Sequence, residues 1–310
     1  MGPGGAGPGG AGPGGQGGAA EGGGGQGGQT ACGDGVIDIT LGETCDPPGS
    51  CPMVCDDQDS CTTDTMSGSV DTCDVVCSAA PVACADADGC CPAGCSNNVD
   101  IDCPLESVLL LSTFAGAAMD VQSKQAATGA FSAVDLFDLG AGTPQLAELL
   151  PYDVVLVFPD VSGMDAVAFG DRLADYYDLG GRVVLSSFAI TMGVLQGRFA
   201  DPAQGYLLFT IANQDAPTDS LGAILEPGSP LVQGVTTLTV ESAYRAAGPV
   251  LPDTTVVATW STGAPLIVRG MAQGRNRVDI NLYPASNDVD GYGFWVGDGT
   301  AIIRNALLFK

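Results

Sequence analysis

Residues 153–187 run DVVLVFPDVSGMDAVAFGDRLADYYDLGGRVVLSS, and their periodicity sets the class of the larger part of the chain. Val154–Phe158 is a short, unbroken apolar run, the pattern of a strand covered on both faces. From Asp165 to Asp178, Val167, Leu173 and Tyr176 or Tyr177 recur at helical spacing, and Gly180-Gly181 supplies the stop. Val183–Ser187 then repeats the apolar run. Strand, helix and strand in succession favour a parallel sheet.

The pattern extends in both directions. Upstream, Val108–Ser112 and Ala133–Leu136 read as strands, separated by a helix over Met119–Thr128 that Gly129 closes. Downstream, strands at Thr255–Trp260, Pro265–Val268 and Arg277–Leu282 follow one another without a helix, which suggests a mixed or antiparallel edge. A last helix spans about Thr300 to Phe309. The expectation for 105–310 is an α/β domain with a flavodoxin-like, doubly wound, mostly parallel sheet.

The remaining third of the chain has a different composition. Residues 1–30 are almost all Gly, Ala, Pro and Gln, with the five-residue repeat Gly2-Pro3-Gly4-Gly5-Ala6 returning at Gly7–Ala11. Such a segment lacks the apolar side chains that offset ordering entropy and reads as a disordered tether. No basic n-region with an apolar h-region precedes it, and no apolar run approaches a membrane span. A tether calls for an anchor, so an export or lipoprotein signal is expected upstream of Met1.

Residues 31–104 hold all twelve cysteines: Cys32, Cys45, Cys51, Cys55, Cys61, Cys73, Cys77, Cys84, Cys90, Cys91, Cys95 and Cys103. Turn-formers dominate there and apolar residues are too few for a core, so covalent staples must supply stability. Cys51 and Cys55, or Cys91 and Cys95, have a spacing that zinc accepts. An even cysteine count without any histidine favours disulfides instead. Adjacent Cys90 and Cys91 then take different partners.

Charge and histidine content exclude several functions. The formal net charge is −26, and no Lys or Arg precedes Lys124. Such a surface repels phosphate backbones, so no nucleic-acid partner is expected. The absence of histidine removes Ser-His-Asp and Cys-His nucleophiles and His-ligated zinc.

Two resemblances follow from local motifs. Cys32-Gly33-Asp34-Gly35, Gly42-Glu43-Thr44-Cys45-Asp46, Cys55-Asp56-Asp57 with Cys61-Thr62-Thr63-Asp64, and Gly89-Cys90-Cys91-Pro92 with Gly94-Cys95 resemble the cysteine-rich repeats of secreted myxobacterial proteins. That resemblance implies an exported surface module and no activity. Asp153–Val157, Gly180–Val184, Ser229-Pro230-Leu231-Val232-Gln233-Gly234, Gly274-Arg275-Asn276-Arg277-Val278, and Asp298-Gly299 with Arg304-Asn305-Ala306-Leu307 resemble the class I glutamine amidotransferase-like superfamily, nearest its trehalose-utilisation-like branch. In that family a cysteine nucleophile follows the strand corresponding to Arg182–Ser187. Here the turn reads Ser186-Ser187-Phe188-Ala189, so the family activity is not expected.

Ligands of open α/β sheets bind beyond the carboxyl ends of the strands, which makes Thr113, Asp160, Ser162, Ser186 and Ser187 the candidate ligand-binding residues. Trp260, Trp295 and Tyr292 have rings suited to stacking on a sugar, although core packing is the commoner use. Gly297-Asp298-Gly299 before the last helix is a weak phosphate signal. Asp86, Asp88, Asp100 and Asp102 are the candidate calcium ligands, the only cofactor expected. The EF-hand pattern fails because Asn97 stands twelfth from Asp86, and Asx-turns account for such Asp clusters more simply. The sequence therefore favours an exported or cell-surface, non-catalytic binding or adhesion protein with an unknown surface partner or small ligand. A divergent hydrolase or carbohydrate-processing enzyme using Asp160 and Ser187 beside a metal is the rival, and a structural scaffold is the third reading.

Overall fold

A computed structural model of the chain describes residues 32–92, 95, 100–160, 163–191, 193–289 and 291–310. The expected tether, residues 1–30, lies outside them. Two compact units form: residues up to Asp59 with Asp64–Ala80, and Ser60–Thr63 with Pro81–Lys310.

Covalent bonds hold the first unit. Its disulfides are Cys32–Cys73, Cys45–Cys51 and Cys55–Cys77. Its core is no more than Cys45, Cys51, Cys73 and Val75, flanked by Cys32 and Val70, so disulfide sulfur stands where aliphatic side chains would pack. Acidic side chains organise the turns: the Asp46 carboxylate accepts from the Gly33 and Gly35 amides, and Glu43 accepts from the Asp38 amide at 2.7 Å. Strands β1 (Thr62–Ser67) and β2 (Val76–Pro81) pair as a small sheet.

The second unit carries Cys61–Cys90, Cys84–Cys95 and Cys91–Cys103. All twelve cysteines are thus paired, and Cys90 and Cys91 do take different partners. The chain then runs through β3 (Glu106–Ser112), α1 (Ala115–Ala127), β4 (Phe131–Asp138), α2 (Leu146–Leu149), β5 (Val154–Val157), α3 (Ala166–Asp178) and β6 (Arg182–Leu185). These four strands form a parallel sheet in the order β4-β3-β5-β6. Alternate residues serve opposite faces. Val108, Leu110, Val154 and Leu156 join the α1 residues Ala117, Ala118 and Val121 in one core. Leu109, Leu111, Val155 and Val157 join Phe169, Leu173 and Tyr177 of α3 in another. The Asp165 carboxylate caps α3 by accepting from the Val167 and Ala168 amides at 3.1 Å, and Gly180 leaves it at φ +109°.

Beyond β6 the architecture changes. There follow α4 (Gly197–Ala200), β7 (Gln214–Asp215), β8 (Asp219–Ile224), β9 (Leu238–Val240), β10 (Arg245–Ala246), β11 (Thr255–Trp260), β12 (Pro265–Ala272), β13 (Arg275–Ile280), β14 (Trp295–Gly297) and α5 (Gly299–Leu308). Strands β7 and β10 pair with each other. The other six form an antiparallel sheet, ordered β13-β12-β11-β8-β9-β14, that curls into a half-barrel. The flavodoxin-like, doubly wound, mostly parallel sheet expected from the sequence is therefore incorrect: six antiparallel strands outnumber four parallel ones, and only 22% of the described residues are helical.

Turn chemistry explains the difference. Gln273 and Gly274 both have positive φ, +49° and +75°, between the paired residues Ala272 and Arg275. That two-residue turn twists with its flanking strands and commits β12 and β13 to an antiparallel hairpin. At the sheet junction, Ser186 bridges Ile280 and the Leu185 amide donates to the Asp279 carboxylate at 2.8 Å. Helix α5 closes the first core, with the Asn305 amide donating to the Leu231 and Gln233 carbonyls of the Ser229–Gly234 loop.

Candidate functional site

The carboxyl ends of β3, β5 and β6 bring together part of the expected site. The Asp160 amide donates to the Thr113 hydroxyl at 2.9 Å, so those two residues share one rim. Ser112 supports the same turn, donating to the Phe158 carbonyl at 3.3 Å and accepting from the Phe114 amide at 3.2 Å. Ser186 is buried and donates to the Leu282 carbonyl, a structural commitment. Ser187 is fully buried and its hydroxyl has no hydrogen-bond partner. Ser162 lies outside the described residues.

Asp160 itself is half-buried, and burial pushes its carboxyl above the usual carboxylate range. No ion pair among the described residues reaches it. Near the same strand ends Tyr283, whose ring meets Phe158 edge-on, is buried with its hydroxyl unpartnered. Burial raises that phenol first, and the neighbouring Asp160 charge and Tyr292 raise it further. The Tyr283 ring sits in an aromatic nest, 4.7 Å from Phe294, 5.2 Å from Phe188 and 6.2 Å from Phe158 between centroids. Tyr292 stacks on Phe294 at 5.2 Å and remains 44% exposed, which makes it the solvent-facing ring of the group.

Other sequence expectations resolve differently. Trp260 and Trp295 are core residues, their indole N–H groups donating to the Asn281 and Pro284 carbonyls at 3.1 and 2.8 Å. The Gly297-Asp298-Gly299 turn offers no phosphate seat, because the Asp298 carboxylate already accepts from the Thr236 and Thr237 amides at 2.8 Å. Those bonds hold its carboxyl below the usual range, so an anion there meets a fixed negative charge.

Sequence reasoning missed Tyr283, Phe188, Tyr244 and Phe294. Their one signal was position: Tyr283 follows the end of β13, and Phe188 follows the end of β6. Two surface clefts, of about 570 and 430 Å³, are lined in part by side chains already engaged. Lys124 pairs with Asp288 at 2.5 Å in the first, and Asp219 is saturated by Arg245, Ser261 and Thr262 in the second.

Among the four expected calcium ligands, Asp88, Asp100 and Asp102 bring carboxylate oxygens within 4.8 Å of one another. Asp86 is not in that group; it accepts from the Ile101 amide at 2.9 Å. Asx-turns are also present, since Asp88 accepts from the Cys90 amide and Asp100 from the Asp102 amide. Asn97, which fails the EF-hand spacing, lies outside the described residues. Among the described residues no helix is long and apolar enough to cross a membrane.

No family model and no curated protein matches the chain. Among solved structures, an exo-β-1,4-mannosidase, Op5Man5, from Opitutaceae bacterium strain TAV5 is similar at a TM-score of 0.43 and 11% identity, over 67% of this chain and 36% of that one. The protein SMU.1228c is similar at 0.40 and 15% identity, over 57% of this chain and 76% of that one. The chain thus spans little more than a third of the mannosidase, and likenesses of this size decide neither fold nor activity.

Proposed function

We propose that this is an exported, disulfide-bonded binding protein whose second unit takes a hydroxyl-bearing ligand at the carboxyl ends of β3 and β5 without turning it over. The observation that carries this reading is the presence near those strand ends of a half-buried carboxylate, Asp160, and of the buried Tyr283 hydroxyl, which has no hydrogen-bond partner. Buried polar groups ordinarily find partners. A ligand hydroxyl supplies one to each: it donates to Asp160 and accepts from Tyr283. Tyr292, the exposed ring of the group, offers the apolar surface on which the carbon face of a saccharide stacks.

Binding without turnover follows from Ser187. In the amidotransferase-like resemblance the residue at this turn would be the nucleophile, yet Ser187 is sealed from solvent and touches no base. Asp160, although burial raises its carboxyl, makes no hydrogen bond to that hydroxyl and so is not placed as its base. Export is supported by the six disulfides, which persist in oxidising compartments.

The test is a glycan array probed with the full oxidised chain, followed by titration of any hit, alongside a broad hydrolase panel. Binding that Asp160→Asn weakens at least about tenfold, the scale of a lost charged hydrogen bond, supports the reading. Binding indifferent to Asp160→Asn and Tyr283→Phe rejects the site. Turnover abolished by both Ser187→Ala and Asp160→Asn establishes the hydrolase instead.

A further inference from the structure

The geometry points to a divalent-cation site, suited to calcium, formed by Asp88, Asp100 and Asp102 in the disulfide-bonded segment that leads into β3. Three observations carry it. The three carboxylates bring one oxygen each within 4.8 Å of the others. Oxygens that share one calcium ion at about 2.4 Å lie no more than about twice that distance apart, so the cluster already has the span of a coordination shell. Asp100 is fully buried and its Oδ2 has no hydrogen-bond partner. A buried carboxylate oxygen without a donor needs a positive partner.

Among the described residues no cationic side chain supplies that partner. None of the ion pairs among the described residues reaches Asp88, Asp100 or Asp102. The nearest cation in sequence is Lys124, and it is engaged by Asp120 and Asp288. The Lys310 ammonium serves the Cys95 carbonyl and Glu106.

The scaffold holds these oxygens in place. Asp88 lies two residues before Cys90, which bonds to Cys61, and Asp102 adjoins Cys103, which bonds to Cys91. Asp102 accepts from the Gly89 amide at 3.0 Å and Asp88 from the Cys90 amide at 2.8 Å, so each carboxylate is oriented through one oxygen. Hard oxygen donors select calcium or magnesium over zinc or copper, and every thiol in the chain is consumed by a disulfide. Asp88 and Asp102 are exposed, which leaves room for water to complete the seven or so ligands calcium takes, a number the smaller, stricter magnesium shell does not favour. The trio Asp56, Asp57 and Asp64 has a similar span, but none of its residues is buried with an orphaned oxygen.

The experiment is isothermal titration of the full, oxidised chain with calcium chloride, then with magnesium chloride. One saturable calcium site is expected, with a Kd on the order of 10⁻⁴ to 10⁻³ M, typical of extracellular modules, and weaker magnesium binding. Asp88→Asn and Asp102→Asn, which preserve the turn acceptors, should each weaken calcium at least tenfold, whereas Asp57→Asn should leave it unchanged. Disulfide mass mapping of each variant confirms that the scaffold has formed. A Kd unchanged in both Asp88→Asn and Asp102→Asn, a site lost in Asp57→Asn, or no saturable calcium heat at about 10 mM would each overturn the assignment.

Discussion

The Leu185 amide donates to the buried Asp279 carboxylate at 2.8 Å and, beside the Ser186–Ile280 bridge, helps join two sheets of different kinds. Leu185 ends the parallel sheet and Asp279 lies on β13, the edge of the antiparallel one. A side-chain oxygen stands where a ladder carbonyl would, so the strands meet without a full ladder. Arg277 neutralises the carboxylate at 2.7 Å, donates to the Tyr206 carbonyl and lies over the Phe199 ring at 4.8 Å. Burial pushes the Asp279 carboxyl up to about 7, opposed by Arg277 and by the Leu185 amide.

Removing this carboxylate should be costly. Asp279→Ala leaves Arg277 charged, buried and unpaired, a change worth about 3–5 kcal/mol. Asp279→Asn keeps an acceptor for the Leu185 amide and should lose less. Urea unfolding of both variants checks the order. Equal and small losses, below about 1 kcal/mol, would show that the junction does not rely on this carboxylate.

The same junction shows what was legible in the sequence. The parallel strands are continuous apolar runs, and their positions and the helices between them were readable from periodicity alone. Strands β9 and β14 are three residues long, too short for any period to emerge, so the antiparallel sheet was seen only as an edge. That Asp160 and Thr113 share a strand-end rim was legible because each follows an apolar strand run. The place of Tyr283 was not, since its packing against Phe158 and Phe188 depends on β13 lying next to β6, a pairing between residues far apart in the chain.

A pH dependence follows from Asp219. Burial raises its carboxyl, but hydrogen bonds from Ser261, Thr262, the Ser220 amide and Arg245 outweigh that and hold it at about 2. A carboxyl depressed on folding contributes stability above its unfolded pKa of about 4 and loses it as pH falls through the folded value. The contribution is about 2 kcal/mol, lost between pH ~4 and ~2. Urea unfolding at pH 5 and pH 2.5 should show a steeper acid loss in the parent than in Asp219→Asn. Identical acid slopes would remove Asp219 as the cause.

The disulfide pattern predicts specific linked peptides. Non-reducing digestion should yield Cys61 joined to Cys90 and Cys91 joined to Cys103, with no free thiol. The bridge from Cys32 to Cys73 closes a separation of 41 residues, which by loop entropy contributes about 4 kcal/mol to a unit with almost no aliphatic core. Reduction should therefore unfold the first unit before the parallel sheet loses its amide protection. Hydrogen exchange with and without reductant checks this, and simultaneous loss of protection in both would contradict it.

The last prediction separates stability from binding at a single atom. The Tyr283 hydroxyl is buried and makes no hydrogen bond, whereas its ring contacts Phe158, Phe188, Tyr244 and Phe294. An unsatisfied buried hydroxyl costs about 1–3 kcal/mol of desolvation, and Tyr283→Phe removes it while keeping every ring contact. The variant should therefore be as stable as the parent or more stable, by up to about 1 kcal/mol after repacking. Ser187→Ala, which deletes the other orphaned hydroxyl of the strand ends, should behave the same way in thermal unfolding. The two variants part on ligand binding: at the proposed site Tyr283→Phe removes a hydroxyl donor to the ligand, whereas Ser187→Ala removes no group assigned to it. A stabilised Tyr283→Phe with binding weakened about tenfold, beside a Ser187→Ala with binding intact, is the expected pair of results. If Tyr283→Phe instead destabilises the fold by more than about 1 kcal/mol, the hydroxyl has a structural partner, and its retention no longer argues for a ligand.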